Sequence, residues 1–195
     1  MTKINLRRIY GHFLSGVALD VQTTGSRYIG VDELGHDVYD PARTEVGDLL
    51  YRLKYRADRE AGAELVRLAA EFLAGYQFHY DVLVPVPPSG VRALQPVRFL
   101  ADGVAAAVPL PLADCITTTR ATASLEGVTD PVKRMALLED LYAVDSRQTE
   151  GKDVLLFDDL FRTGSTLDAI ADLLMDEGGA KTVRALTIAK TRGHL

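Results

Sequence analysis

Two adjacent acidic residues and a hydroxyl-rich loop are the part of this chain whose residue types and spacing suit chemistry best. Asp158 and Asp159 directly follow the apolar run Val154–Phe157, and Thr163-Gly164-Ser165-Thr166 comes three residues later. A helix that begins in such a loop has free backbone N–H groups, which attract phosphate. Gly164 lets the backbone approach that phosphate closely, and paired carboxylates suit sugar hydroxyls or a magnesium ion. The spacing therefore predicts a site for a phosphorylated ribose.

A strand–helix–strand unit is predicted to hold these residues in place. Asp153–Phe157 is almost continuously apolar, as is typical of a strand covered on both faces. Ser165–Glu177 has apolar residues at helical spacing, and Thr182–Lys190 is a second apolar run. Such a unit crosses over right-handed within a parallel sheet. Ligands of these sheets bind beyond the carboxyl ends of the strands, so we expect Asp158 to Thr166 at that edge.

The rest of the chain repeats this alternation, and the predicted fold class is α/β. A long polar loop is predicted from Arg120 to Asp140, and loops of this length inside a compact domain are usually functional or mobile. We expect one domain over residues 1–195, with roughly residues 1–57 forming a small subdomain packed over the carboxyl edge of the sheet. The other predicted elements are helices over 45–55, 60–73 and 97–108, strands over 81–86 and 114–119, and a hairpin over 17–28 that turns at Thr24-Gly25.

The composition excludes several classes of protein. The 195 residues are 47% hydrophobic and 25% charged, as in ordinary globular domains. The single cysteine, Cys115, rules out a disulfide within one chain and a zinc site built from cysteines. A net charge of −5 argues against nucleic acid as a partner. No apolar run approaches the roughly 20 residues of a membrane span, and the basic segment Met1–Gly11 lacks the apolar core of a secretory signal, so we expect a cytoplasmic protein.

The segment from Val154 to Thr166 resembles the diphosphosugar-binding motif of the type I phosphoribosyltransferases, which use 5-phosphoribosyl-1-pyrophosphate (PRPP) as donor. Within that family the chain is most similar to the ComF-like branch. The similarity includes Leu53–Asp58, Val84–Pro87 and Thr187–Arg192. Many members of the branch begin with a four-cysteine zinc module, which this chain lacks.

Two further departures from the family pattern lie close to the predicted site. Phe161 and Arg162 replace smaller, uncharged residues of the motif. Arg92–Pro96 stands in place of the run that usually follows the pyrophosphate loop. A role in competence is therefore not carried over, whereas the fold and PRPP binding are.

The resemblance implies a phosphoribosyltransferase-type (Rossmann-like) parallel sheet flanked by helices, with a hood-like N-terminal subdomain. It implies transfer of the 5-phosphoribosyl group to an acceptor, expected to be a nitrogenous base, with release of pyrophosphate. Magnesium is expected to bind through PRPP with help from Asp158 and Asp159, which would be the catalytic residues, and related folds are often homodimers. The implied donor-site residues are Asp158, Asp159, Leu160, Phe161, Arg162, Thr163, Gly164, Ser165 and Thr166; the pyrophosphate loop is Pro87, Pro88, Ser89, Gly90, Val91 and Arg92; and the flexible loop offers Arg120, Lys133 and Arg134.

Other interpretations of these segments stay open at the level of sequence. The acid pair could also mark a strand end that meets solvent. Residues 87–92 are equally compatible with a proline-rich surface turn. The Arg120–Arg134 segment is compatible with an ordinary solvated loop. Arg162 either contacts phosphate or points to solvent. The protein as a whole is either a transferase or a PRPP or nucleotide sensor of the same fold that does not turn its ligand over.

Three other enzyme classes lack support in the sequence. A nucleotide triphosphatase needs a Walker A loop, and Gly178–Thr182 lacks the required Gly-Lys adjacency. A Ser-His-Asp hydrolase is unsupported because the sequence has no G-x-S-x-G motif. The four histidines show no metal-ligand spacing.

Overall fold

The computed structural model describes residues 2–76, 78–88, 90, 93–120, 130, 137–138 and 140–192. Helices and strands alternate along most of the chain, as expected. The strands are β1 Arg7–Ile9, β2 Ser15–Val21, β3 Thr23–Val31, β4 Asp37–Arg43, β5 Val82–Pro85, β6 Ile116–Thr118, β7 Tyr142–Val144, β8 Asp153–Phe161 and β9 Thr182–Lys190; the helices are α1 Glu45–Arg56, α2 Arg59–Gly75, α3 Pro96–Ala107 and α4 Ser165–Asp176, with a 3₁₀ turn at Ser146–Gln148.

A five-stranded sheet in the order β1-β2-β9-β8-β5 forms the centre of the molecule. Strands β2, β9, β8 and β5 are parallel to their neighbours, and only the edge strand β1 runs antiparallel. Helix α4 connects β8 to β9, so the predicted strand–helix–strand unit is present. The α/β fold class predicted from the sequence is confirmed.

Each face of this sheet has its own apolar core. On one face α4 packs against alternate residues of β8, including Val154 and Leu156. On the other face α1, α2 and α3 cover Leu155 and Phe157. Because side chains alternate along a strand, the residues that follow Phe157 must also point to opposite faces. This alternation determines that Asp158 and Asp159 point to opposite faces of the sheet.

Helix α1 has clear capping signals at both ends, which fix its position on the sheet. The Thr44 hydroxyl accepts from the Gly47 N–H at 2.9 Å and donates to the Val21 carbonyl at 2.7 Å, linking the start of the helix to β2. The helix ends at Ala57, which has a φ of 51°, and Asp58 then caps α2 by accepting from the Ala61 N–H at 3.0 Å. The side chains of the last turn of α1 are therefore held at a defined height on the sheet.

Several predicted boundaries differ from the structure. The hairpin predicted over 17–28 is wrong, because β2 pairs in parallel with β9 while β3 pairs with β4 through a turn at 32–36. Both strands are rich in β-type residues, so local propensity could not show which partner each would take. The strand predicted over 114–119 is shorter and pairs with β7 outside the main sheet. Strand β8 extends four residues beyond its predicted end at Phe157.

Residues 1–57 contribute to two different parts of the molecule. Strands β1 and β2 belong to the main sheet, whereas β3 and β4 form a separate two-stranded sheet whose residues are mostly exposed on both faces. A hood-like subdomain over this whole segment stays a prediction. None of the helices in the described ranges is long and apolar enough to cross a membrane.

Candidate functional site

The two acids lie inside the last part of β8 rather than after its end. The ladder between β8 and its neighbour β5 stops where Pro85 pairs with Phe157, whereas the ladder with β9 continues to Phe161. Beyond Phe157, strand β8 thus has an open side towards the segment that follows β5. This open side at the carboxyl edge is where ligands of parallel α/β sheets bind.

Asp158 points to the α4 face and lines a cavity with the loop that precedes that helix. The carboxyl is partly buried, and burial, followed by the charge of Asp159, raises its pKa from 3.8 to about 7. One of its oxygens accepts from the Asp159 N–H at 2.8 Å. The cavity has a volume of about 50 Å³, room for a group of a few atoms such as a phosphate. Its lining residues are Asp158, Leu160, Phe161, Arg162, Thr163, Gly164, Thr166 and Leu167.

Asp159 points to the opposite face and is engaged by a lysine of α1. The Lys54 ammonium lies 3.0 Å from Oδ1 and 2.9 Å from Oδ2 of Asp159. The side chains are only 16% and 9% exposed, so this is a nearly buried ion pair. The same cation lowers the pKa of Asp158, although burial and Asp159 outweigh it. The two acids therefore have separate environments, and only Asp158 lines the cavity.

The role of Lys54 was missed at the level of sequence, although a signal was present. Val46, Leu50 and Leu53 form the buried stripe of α1. Lys54 lies four residues after Leu50, on the same side of the helix. A lysine on the buried stripe of an amphipathic helix needs an anionic partner, and the acid pair of β8 was the evident candidate.

The phosphate-loop prediction fits the backbone at the start of α4. Gly164 has a φ of 90° and occupies the N-cap position of the helix, where no described side chain caps the first turn. A Cβ at Gly164 would lie 3.1 Å from the Phe161 ring, so a larger residue is disfavoured by space as well as by φ. The Thr163 and Ser165 hydroxyls are 3.1 Å apart. Thr163, Gly164 and Thr166 line the small cavity, whereas Ser165, which was also predicted to bind the phosphate, is not part of its lining.

Contacts from Thr191, directly after β9, and from the β1–β2 loop hold this region in place. The Thr191 N–H donates to the Phe161 carbonyl at 2.9 Å, and its hydroxyl donates to the carbonyl of Arg162 at 3.2 Å. The His12 N–H donates to Asp168 in the first turn of α4 at 2.9 Å, and its ring Nδ1 lies 2.7 Å from Asp172. The bond to Asp172 and the charges of Asp172 and Asp168 raise the pKa of His12. The contact between His12 and α4 was not predicted from the sequence.

The predicted pyrophosphate loop begins beside the open side of β8. Pro87 and Pro88 follow the end of β5, and the Gly90 carbonyl accepts from the Gln95 side chain at 2.8 Å. Ser89, Val91 and Arg92 lie outside the described residues. Of the predicted flexible-loop residues, Arg120 is exposed just after β6, whereas Lys133 and Arg134 also lie outside them. The roles of both loops stay predictions.

A family comparison identifies the domain. The sequence model of the phosphoribosyl transferase domain matches residues 54–194, which is well over half of the chain. The chain belongs to this family. The match begins at Lys54 and includes the acid pair and the loop before α4.

The chain is also similar to individual proteins in sequence or in fold. Competence protein ComFC of Bacillus subtilis (strain 168) is 27% identical over 149 residues, which cover 74% of this chain and 59% of ComFC. The chain therefore spans less than two thirds of the length of that relative. The similarity supports placement of the chain in the ComF-like branch of the family. Adenine phosphoribosyltransferase of Leishmania donovani superposes with a TM-score of 0.52 at 10% identity, covering 95% of this chain and 75% of that one. The Trypanosoma brucei enzyme superposes with a TM-score of 0.51 at 16% identity over 96% and 75%. These two structures support the fold.

Proposed function

We propose that this protein binds PRPP together with magnesium and transfers the 5-phosphoribosyl group to a nitrogenous acceptor, releasing pyrophosphate. The observation that carries the proposal is the cavity shared by the Asp158 carboxyl and the Thr163–Thr166 loop at the carboxyl end of β8. Membership in the phosphoribosyl transferase family supports it. In the reaction, the bond between ribose C1 and a pyrophosphate oxygen breaks, and pyrophosphate leaves with the bonding electrons. The acceptor nitrogen then bonds to C1 and loses a proton.

The loop before α4 is proposed to anchor the 5'-phosphate. Three of its four residues, Thr163, Gly164 and Thr166, line a cavity with room for a group of a few atoms. The helix dipole contributes about 0.3–1 kcal/mol for an anion at this end, and direct hydrogen bonds add to that. Phosphate held here places the ribose ring along β8 towards Asp158, because the same cavity contacts both.

Asp158 is proposed to accept hydrogen bonds from the ribose hydroxyls and to stabilise positive charge at C1. This function needs the ionised form, whose population near neutral pH is limited by the raised pKa. The ionised carboxylate stabilises the positive charge that develops at C1 in the transition state more strongly than it stabilises the bound substrate. This difference lowers the barrier to reaction.

Asp159 is proposed to position α1 rather than to contact the donor, since both of its oxygens are within 3.0 Å of Lys54. This assignment differs from the expectation that both acids hold the ribose. It leaves one carboxylate, Asp158, to assist a magnesium ion that PRPP carries. No group of three or more acidic, histidine or cysteine ligands occurs among the described residues, so binding of the ion mainly through the donor's phosphates fits the residues present. Magnesium would neutralise the pyrophosphate as it leaves.

A PRPP or nucleotide sensor is the second candidate function. The engagement of Asp159 by Lys54 favours it, because a single carboxylate in the cavity suffices for binding but supplies less charge for catalysis. The two candidates differ in turnover and share the same donor site.

The deciding experiment is a calorimetric titration of PRPP into the protein with and without magnesium, followed by an assay of pyrophosphate release with a panel of bases. We expect magnesium-dependent binding that Asp158→Asn weakens at least tenfold and that Asp176→Asn, an exposed acid at the end of α4, leaves unchanged. Binding with release of pyrophosphate supports the transferase, and binding without release for any base supports the sensor. If PRPP does not bind to the wild type, the transferase and a sensor of PRPP are both wrong.

A further inference from the structure

A second cleft lies at the amino end of β5, opposite the end at which the donor site is built. Its walls are the C-terminal half of α2, residues 78–80, and the segment from Ala107 to Leu110 at the end of α3. Its volume is about 600 Å³, within the roughly 300–1,000 Å³ of small-molecule sites. Tyr80 precedes β5 and Pro87 follows it. A strand rises about 3.3 Å per residue, so these two residues are roughly 20 Å apart, and the cleft is separate from the donor site.

The apolar surface of the cleft suits a flat ligand. Ala70 and Ala74 lie four residues apart on the same side of α2, and Ala107 belongs to the end of α3. These small side chains leave space that larger ones would fill. Phe78 is 45% exposed and packs on Tyr76 with ring centroids 5.0 Å apart. An exposed aromatic ring beside small residues offers a surface on which a planar ligand can stack.

The ends of two helices make the cleft attractive to a cation. Both α2 and α3 end at its walls, and neither helix has a basic residue in its last turn. The C-terminus of a helix carries about half a negative charge, which comes from its unpaired carbonyl groups. Because no side chain of the last turns compensates this charge, a ligand with a positive group is favoured.

Glu71 adds a carboxylate to the same surface. Its Oε1 accepts from Arg67, whereas its Oε2 has no hydrogen-bond partner among the described residues. Arg67 also binds both oxygens of Glu64, so its charge is shared between two carboxylates. Tyr80 adds a neutral hydroxyl, because burial raises the pKa of its phenol above the ordinary value of 10. The cleft thus offers a free carboxylate oxygen to a ligand that donates hydrogen bonds.

The basic groups around the cleft are engaged elsewhere. Among the described residues that line it, only His79 is basic, and its ring lies 2.9 Å from Asp81. Arg184 lies over the Phe78 ring at 4.6 Å and donates to Thr182, but it is not part of the lining. Its buried Nε has no partner among the described residues, so an anion held by Arg184 is the alternative that an experiment must separate.

We propose that this cleft binds a small molecule that joins a flat aromatic body to a protonated amine. The aromatic body packs on Phe78 and the three alanines, and the ammonium lies beside Glu71 and the two helix ends. The cleft and the donor cavity have no lining residue in common, so this site does not depend on the proposed transferase function.

Tryptamine is the probe, since it joins an indole ring to an amine that is protonated at neutral pH. The chain contains no tryptophan, so the fluorescence anisotropy of the indole, excited where tyrosine does not absorb, reports on the probe alone. We expect a Kd between about 10 µM and 1 mM, as for other ligands of this size. Two companions keep the ring and change the charge: indole is neutral, and 3-indolepropionate is an anion. Tryptamine should bind about tenfold more tightly than 3-indolepropionate.

Two pairs of variants locate the site. Glu71→Gln should weaken tryptamine about fivefold and leave indole unchanged, whereas Glu64→Gln, which alters the other partner of Arg67 outside the cleft, should change neither. Ala74→Leu should abolish binding of both probes because the larger side chain fills the cleft. Ala63→Leu, at an exposed position of the same helix, is its control. Asp158→Asn should bind tryptamine like the wild type, because it alters only the donor site.

Four results would overturn the proposal. A wild type that does not bind tryptamine at millimolar concentration has no such site. Binding of 3-indolepropionate that equals or exceeds that of tryptamine would favour the anion at Arg184. Binding that survives Ala74→Leu, in protein that circular dichroism shows to be folded, lies elsewhere on the molecule. Equal effects of Glu71→Gln and Glu64→Gln would exclude the contact with Glu71, and this comparison decides the matter if Ala74→Leu does not fold.

Discussion

Replacement of Lys54 by methionine tests the assignment of Asp159 as a residue that positions α1. The substitution keeps the length and the apolar stem of the side chain but removes its charge, so Asp159 is left as a nearly buried, unpaired acid. With N–O distances of 2.9 and 3.0 Å, the gross attraction is roughly 6 kcal/mol at an effective dielectric constant of about 20. Part of this attraction offsets the cost of burying both charges. Removal of one partner of such a pair costs about 3–5 kcal/mol, and since both groups keep some exposure we expect about 3 kcal/mol.

Urea unfolding at about pH 7.5 measures this cost, and the same helix offers a matched control. Arg52 pairs with Asp58 at 2.6 Å, but these side chains are 36% and 25% exposed. Arg52→Met should therefore cost no more than about 1 kcal/mol. Adding Asp159→Asn to Lys54→Met should recover much of the loss, because no unpaired charge then remains. Equal effects of the Lys54 and Arg52 substitutions would refute the view that a buried ion pair holds α1 on β8.

The remaining predictions concern the cavity and the start of α4. Gly164→Ala should destabilise the protein by about 1–2 kcal/mol and weaken ribose 5-phosphate binding, because Gly164 has a φ of 90° and its Cβ would meet the Phe161 ring at 3.1 Å. Gly151→Ala, with a φ of 70° but nothing within 4 Å, should lose stability without losing binding in the same titration, and equal binding losses would contradict the role of the loop. The pKa of Asp158 is raised from 3.8 to about 7, so ionisation of this carboxyl lowers the stability of the folded state as pH rises between these values. Asp158→Asn should therefore stabilise the protein by about 2 kcal/mol at pH 8 and have hardly any effect on stability at pH 4. The PRPP affinity of the wild type should rise about tenfold more between about pH 6 and pH 8 than that of Asp158→Asn, and parallel profiles would show that this carboxylate does not bind the donor. The pKa of His12 is raised, so its contact with Asp172 should contribute stability below pH 6.5 and lose it as pH rises through the raised value. His12→Ala should therefore lower the Tm at about pH 5.5 but not at about pH 9, and the loss of unfolding free energy at the lower pH should stay below about 1 kcal/mol because the pair is exposed. A loss of Tm that is the same at both pH values would exclude the ion pair as its cause.

The sequence predicted secondary structure best where one continuous run of residues defines both the element and its buried surface. Strand β9 was predicted with both of its ends correct, and α4 to within one residue, because each is a continuous apolar or amphipathic run bounded by clear signals. The start of α4 at Ser165 was predicted correctly because the glycine and hydroxyl residues before it are typical of a helix N-terminus, but the loop itself is shorter than predicted because β8 extends to Phe161. Family membership, inferred from that motif, is confirmed by the match over residues 54–194.

The first third of the chain was predicted less well, because its strands take their partners from distant parts of the sequence. β2 pairs with β9 across more than a hundred residues, and β3 pairs with the neighbouring β4. Both strands have similar β-type composition, so propensity alone favoured a hairpin between them. The pairing partner of β2 is determined by the main sheet, in which β2 is buried beside β9.

By itself, the sequence determined which groups are available to this protein: two acids, a hydroxyl-rich loop, and the strand and helix on either side of that loop. Only the tertiary structure decided which surroundings each acid has. Alternation along β8 turns Asp158 towards α4 and Asp159 towards α1, and the height of α1 on the sheet brings Lys54 within 3.0 Å of Asp159. Neighbours in sequence thus lie on opposite faces of a sheet, because a strand places successive side chains on opposite sides while the helices that cover them come from distant parts of the chain.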